Sequence, residues 1–227
     1  MDGGGAKLFE PRPADAEPPT FDAAFQAQFE ALLRWRRDVR RFRPEPVDPA
    51  CLYDLLALAA LAPSVGLSEP WRFVWVDDPD RRRQIKANFE ACNAEALGAY
   101  APSRAAHYAR LKLAGLDQAP HHLAVFAEGH PEQGHGLGRR TMPETVAYSA
   151  VMAAHTLWLA ARTRGVGVGW VSILAPDRLA QCLDVPADWL FIGYFCLGYP
   201  KEEHERPELE RHGWERRRTE ASPALRR

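Results

Sequence analysis

Cysteine is scarce in this chain and spaced for no framework. Cys51, Cys92, Cys182 and Cys196 are scattered, with no C-x-x-C pair. That excludes a disulfide scaffold or a zinc ribbon and reads as reduced, mostly buried thiols in a cytosolic protein. An excess of one charge is missing as well. Lysine plus arginine number 29 against 30 for aspartate plus glutamate, a net charge of −1. General binding to nucleic acid or to a membrane surface needs a basic excess, so neither is expected, and any anion site must be local. No apolar run is as long as a membrane span, and the first residues lack the apolar core of a signal peptide. The expected location is the cytoplasm.

Several motifs are absent too. Gly165-Val166-Gly167-Val168-Gly169 spaces its glycines by two and runs on into Trp170, so it is no dinucleotide loop. Small residues at alternate positions let a flat group or another backbone lie against one strand face. Gly134, Gly136 and Gly138 lack the lysine and serine of a phosphate loop. His121 and His122 are adjacent on a strand, so their side chains diverge, and no H-x-x-x-H lies on a helix. No metal is expected. Ser64 and Ser172 have no G-x-S-x-G frame, which argues against a hydrolase nucleophile.

What is there suits one domain of 227 residues, long enough to bury a large core. Residues 1–20 are rich in proline and glycine and read as a mobile tail; 219–227 form a second tail. From Thr20 a helix is expected, with Phe21, Phe25, Phe29 and Leu32 or Leu33 as one buried stripe. Asp48-Pro49 starts a second helix, stopped at Pro63. A loop, Ala62 to Trp71, leads into a strand over Arg72 to Val76. Asp78-Pro79 opens a helix of mixed composition. Together with the stretch that follows, it reads as a lid insertion over about 87–113 within a domain spanning 21–218. His122 to Ala127 is a strand. Pro143 to Arg164 reads as the longest helix, apolar nearly all round and capped by Gly165, with one side open to a partner subunit. Val166 to Ile173 is a strand, Pro176 to Leu183 a short helix, and Trp189 to Leu197 a continuous apolar strand. Helices and strands do not alternate one to one. The class is α+β, a mixed or mostly antiparallel sheet flanked by helices.

The chemistry concentrates in Arg36-Arg37-Asp38-Val39-Arg40, at the end of the first helix. Guanidinium forks match phosphate in a two-pronged geometry. A carboxylate among them is expected to have a lowered pKa and stay ionised. A solvated basic patch at a helix C-terminus would look similar locally. Taken with the Pro63-Ser64 loop and the strand ending Trp170-Val171-Ser172-Ile173, the arginines suit a ligand with a phosphate at one end and a flat ring at the other. Flavin mononucleotide (FMN) has that shape.

These stretches resemble the flavin-dependent nitroreductase superfamily. Within it they are similar to the branch that fragments its flavin. The resemblance rests on Asp38 in its arginine box, Ala62-Pro63-Ser64-Val65-Gly66 with Pro70-Trp71, Leu157 to Arg162 leading to Gly165 through Ile173, Tyr194 through Pro200, and Pro207-Glu208-Leu209 with Gly213-Trp214. It covers about residues 25–218. It implies a homodimer with the nitroreductase-like fold and a flavin site at the subunit seam. Reduced FMN would be a substrate, broken up with O2 into 5,6-dimethylbenzimidazole, the lower ligand of cobalamin, and erythrose 4-phosphate. A separate reductase would supply reduced FMN. By the same resemblance Arg36, Arg37 and Arg40, with Val39 between them, hold the phosphate and ribityl chain. Pro63 and Ser64 lie against the ring, and Trp170, Val171 and Ser172 line its edge. Asp38 is the acid/base near the ribityl carbons, and Ser172 hydrogen-bonds the ring. Ala99 and Arg104 close a lid, and Arg211 meets the phosphate, with Arg206 and His212 as rivals. An NAD(P)H-dependent FMN nitroreductase or quinone reductase, and a flavin carrier without catalysis, are the other readings.

Overall fold

The computed structural model describes residues 17–98, 115–218 and 224–227. Most of the expected N-terminal tail, the lid positions Ala99 and Arg104, and the start of the C-terminal tail lie outside the described residues.

Local signals start the first two helices, the first at Ala23 rather than at the expected Thr20. Helix α1 spans Ala23–Trp35, and its N-cap Asp22 accepts the Phe25 N–H at 2.8 Å. Helix α2 spans Pro49–Ala59, with Asp48 accepting Ala50 N–H at 2.9 Å and proline at its first position. A short 3-10 turn, Val65–Leu67, precedes strand β1, Trp71–Trp75. Helix α3 spans Pro79–Gly98, and the short α4 covers Gly115–Gln118. Strand β2, His121–Glu128, is followed by helix α5, Thr145–Thr163. Then come β3, Gly167–Val171, helix α6, Pro176–Leu183, β4, Trp189–Gly198, and the short α7, Glu208–Arg211.

The strands form one sheet in the order β1-β2-β4-β3, every pair antiparallel. The two central strands, β2 and β4, are apolar at successive positions because both faces are covered. Leu123, Val125, Phe195 and Leu197 pack with Leu52, Leu55, Ala154 and Leu157 of α2 and α5. Ala124, Phe126, Tyr194 and Cys196 pack on the other side with Ile85, Leu179 and Leu183 of α3 and α6. Three layers result, helices on both faces of an antiparallel sheet.

Two expectations need correction. The stripe on α1 is not buried within this chain: Phe21, Phe25, Phe29 and Leu33 are 58, 45, 45 and 42% exposed. Helical spacing shows that a face is apolar, but only the neighbours decide whether it is covered. The longest described helix is α3, with 20 residues against 19 for α5. Mixed composition does not shorten a helix when it needs only a narrow contact, and α3 buries just Ile85 and Asn88. Helix α5 buries Val146, Ser149, Ala150, Ala153, Ala154, Leu157 and Ala161 and leaves Tyr148, Val151 and Met152 exposed. Its apolar surface is thus divided between the core and the outside.

Candidate functional site

From the end of α1 the chain runs extended along the open edge of β3. Asp38 bridges Val168 in parallel, and the Val39 N–H donates to the Val168 carbonyl at 3.0 Å. Asp38 Oδ1 accepts the Trp170 N–H at 2.8 Å. The alternating glycines admit this approach. A Cβ on Gly167 would come within 2.8 Å of Val39 Cγ2, and one on Gly169 would meet the Val39 carbonyl. The flat strand face is therefore occupied by the backbone of the arginine box itself.

That backbone sends its side chains to different places. The Arg36 guanidinium lies 4.9 Å from the centroid of the Trp158 ring. Trp158 Nε1–H donates to the Arg37 carbonyl at 3.2 Å. Arg37 donates to the Arg34 carbonyl through Nη2, while its Nε is buried without a hydrogen-bond partner. Among the described residues, neither Arg36 nor Arg37 has a carboxylate within ion-pair distance. Burial holds both guanidiniums below their usual pKa, and Arg36 pushes Arg37 further down. The neighbouring arginines are paired. Arg40 Nε lies 3.3 Å from Asp38 Oδ2. Arg41 bridges Glu202 at 2.5 Å and Glu208 at 3.3 Å, which fastens the segment after β4 to the box.

One cleft brings Arg37, Asp38 and Arg40 together with Arg206, Glu208 and Arg211. Arg211 Nε is also buried without a partner. Two orphaned guanidinium donors in one region fit an anionic group that accepts hydrogen bonds, as a phosphate does. His212 instead lies 3.7 Å from Glu208.

Asp38 does not have the lowered pKa that its arginine neighbours lead one to expect. Burial pushes its carboxyl above the usual aspartate range, outweighing the Trp170 N–H and Arg40, which pull it down; Glu208 adds to the rise. Counting charges in sequence missed the loss of water, which disfavours the ionised form.

The remaining sites are distributed. The Trp170 ring leans on Trp158 and Phe195, with centroids 6.2 and 4.9 Å away, in the layer between sheet and α5. Val171 is buried, and Ser172 is exposed just beyond β3. Pro63 is exposed, and Ser64 Oγ accepts the Glu69 N–H at 3.1 Å. The next residue, Val65, donates its N–H to Ser149 Oγ at 3.0 Å. Pro63, Ser64 and Ser172 do not line the arginine cleft of their own chain. Sequence reading gave no role to Glu208 or Trp158. The signals for Trp158 were its place in the Leu157 to Arg162 stretch that carries the resemblance and its spacing of four from Arg162, which puts both on one face of α5.

The two adjacent histidines point apart. His121 Nε2 accepts the Val47 N–H at 2.9 Å, and His122 Nδ1 meets the Tyr194 hydroxyl at 2.8 Å. Among the described residues, no group of three or more His, Cys, Asp or Glu side chains could hold a metal ion. No described helix is long and apolar enough to cross a membrane.

Comparison with known proteins identifies the family and the fold. The pattern of the Nitroreductase family matches residues 33–199. A Rhodospirillum rubrum protein named 5,6-dimethylbenzimidazole synthase is 56% identical over 209 residues, covering 92% of this chain and 98% of that one. A Rhodobacter capsulatus protein of the same name is 48% identical over 195 residues, covering 86% and 94%. Among solved structures, an iodotyrosine deiodinase bound to FMN and 3-iodo-L-tyrosine superposes with a TM-score of 0.67 at 21% identity, covering 87% of this chain and 97% of that one. A BluB-like flavoprotein from Clostridium difficile 630 gives 0.63 at 18% identity, covering 79% and 93%. At such identities the two structures speak for the fold alone.

Proposed function

The chain belongs to the nitroreductase family, and on that premise we propose that it fragments reduced FMN with O2 to 5,6-dimethylbenzimidazole and erythrose 4-phosphate, supplying the lower ligand of cobalamin. Relatives at 44–56% identity carry the name of that activity. The observation that carries the reading is Asp38. It is an aspartate of raised proton affinity in one cleft with Arg37, Arg40, Arg206 and Arg211.

Arg36, Arg37, Arg40 and Arg211 hold the phosphate and ribityl chain, with the Val39 main chain fixing their spacing. Arg206 shares one cleft with Arg37, Arg40 and Arg211, and Arg36 lines the neighbouring groove beside Trp158 and Arg37. Bound reduced FMN supplies the electrons for oxygen and the ribityl carbon that ends in the product. Asp38, kept partly out of water, exchanges a proton near the ribityl carbons; a raised pKa brings a carboxylic acid closer to the working pH. Ser172, exposed at the end of β3, offers a hydroxyl to the ring, and Trp170 and Val171 form the wall beside it. Ala99 and Arg104 remain the proposed lid, excluding water.

Pro63 and Ser64 reach the ring from a second copy of the chain. The exposed apolar faces of α1 and α5 support a homodimer, since Phe25, Phe29, Val151 and Met152 would otherwise face water. The proposal includes a cytoplasmic setting, a separate reductase for FMN, and no metal, and it makes the tail before residue 21 dispensable.

The test is to mix purified protein with reduced FMN in air and identify the products by mass. 5,6-Dimethylbenzimidazole with erythrose 4-phosphate is expected. Intact FMN with rapid NAD(P)H oxidation would favour a nitroreductase or quinone reductase instead; flavin bound and released whole would favour a carrier.

A further inference from the structure

We propose that Trp158 is a positioning residue of the phosphate end of the site, holding Arg36 by its ring and Arg37 by its indole N–H; this rests on the flavin phosphate reading above. Two independent contacts from one side chain converge on adjacent box residues. The ring face carries the Arg36 guanidinium at 4.9 Å. The Nε1–H reaches the Arg37 carbonyl at 3.2 Å.

The kind of contact matters. Nearby arginines are held by carboxylates: Arg34 by Glu30, Arg41 by Glu202 and Glu208, and Arg162 by both oxygens of Glu203, each at 2.8 Å. A carboxylate partner neutralises the guanidinium and must be displaced before an anion can bind. An aromatic face attracts the cation but leaves all five N–H donors and the full charge available. Trp158 thus orients Arg36 without consuming it.

The seat is itself rigid. The Trp158 ring packs 6.2 Å from Trp170 and 6.3 Å, edge-on, from Phe195. Trp170 in turn gives its main-chain N–H to Asp38. The box is therefore pinned on one side by α5 through Trp158 and on the other by β3 through Asp38. Loss of the α5 pin frees the guanidinium and the peptide that set the phosphate position, whereas Trp170 at the ring end keeps its contact with Phe195 and its main-chain bond to Asp38.

The experiment compares the dissociation constants of FMN and of riboflavin, which lacks the phosphate, on the full-length chain. Wild type prefers FMN. Trp158→Phe keeps the packing and part of the ring face but removes the N–H. FMN binding weakens about fivefold, the scale of re-ordering one freed side chain on binding, while riboflavin changes by less than about twofold on the same scale. Trp158→Leu removes the ring as well and lowers the preference further. Thermal melting checks each fold, and Trp158→Tyr is read in the same way should Trp158→Phe melt without cooperativity. An unchanged FMN-over-riboflavin preference in a folded variant, or an equal loss for both flavins, overturns the inference. A wild type that binds both flavins equally removes the phosphate reading itself.

Discussion

The Asp38 carboxylate accepts the main-chain N–H of Trp170 across 132 residues of sequence, at 2.8 Å. One oxygen ties the arginine box to β3, and the other faces Arg40 at 3.3 Å. Structure and chemistry thus meet in one side chain, which shapes the first prediction.

Asp38→Asn keeps an oxygen for the Trp170 N–H but cannot exchange a proton. FMN affinity should stay within about threefold of wild type, while formation of the benzimidazole falls at least about a hundredfold, the usual scale for a lost acid/base group. Product quantified by mass from reduced FMN and air is the measurement. Retained product would remove the role given to Asp38. Ser172→Gly should show the same split, since Ser172 is exposed and its loss costs stability under about 0.5 kcal/mol.

Gly169→Ala puts a methyl group against the Val39 carbonyl. The box must lift from the edge of β3, at an overpacking cost of about 1–3 kcal/mol. FMN binding should weaken together with the melting temperature. Gly165→Ala is the control: its φ of +69° is strained for alanine, but no atom lies within 4 Å of the added carbon. It should cost about 1 kcal/mol in stability and leave FMN affinity unchanged.

His122 predicts how stability depends on pH. Burial, aided by Arg82, lowers its pKa from 6.5 to about 4. Between those values the unfolded chain takes up a proton that the folded chain refuses. Stability from this group is full above about pH 6.5 and is lost progressively as pH falls to about 4, by up to about 3 kcal/mol. Denaturant titrations across that range should show a smaller slope in His122→Gln. Equal slopes would mean that His122 is not the group responsible.

Ser149→Ala removes the acceptor of the Val65 N–H. That donor is partly buried under α5, so the variant should lose about 1–2 kcal/mol by denaturant midpoint. If the Pro63–Ser64 loop reaches a flavin ring, FMN binding should weaken as well, and riboflavin by the same factor, because this loop is remote from the phosphate. A loss confined to FMN would contradict that assignment.

Much of the architecture was legible in short-range patterns. Asp48 caps the helix that it precedes, and the apolar run from Trp189 is a central strand covered on both faces. The alternating glycines were readable as a close approach, though not what approaches; the answer, Val39, is about 130 residues away in sequence. Pairing with a distant segment leaves no mark in local periodicity. The same limit hid Glu208 and gave the wrong direction for Asp38, because burial depends on everything packed around a group.

By itself, the sequence determined the class of fold, the order of its elements and the residue types available to grip a phosphate, since these follow from propensity, capping and charge within a few turns of chain. Only the tertiary structure decided which guanidiniums lack an ion-paired carboxylate among the described residues, that an indole carries one of them, and that burial raises the proton affinity of the aspartate. Those outcomes are set by solvent exclusion and by contacts between α5, β3 and the segment after β4, which no local stretch encodes.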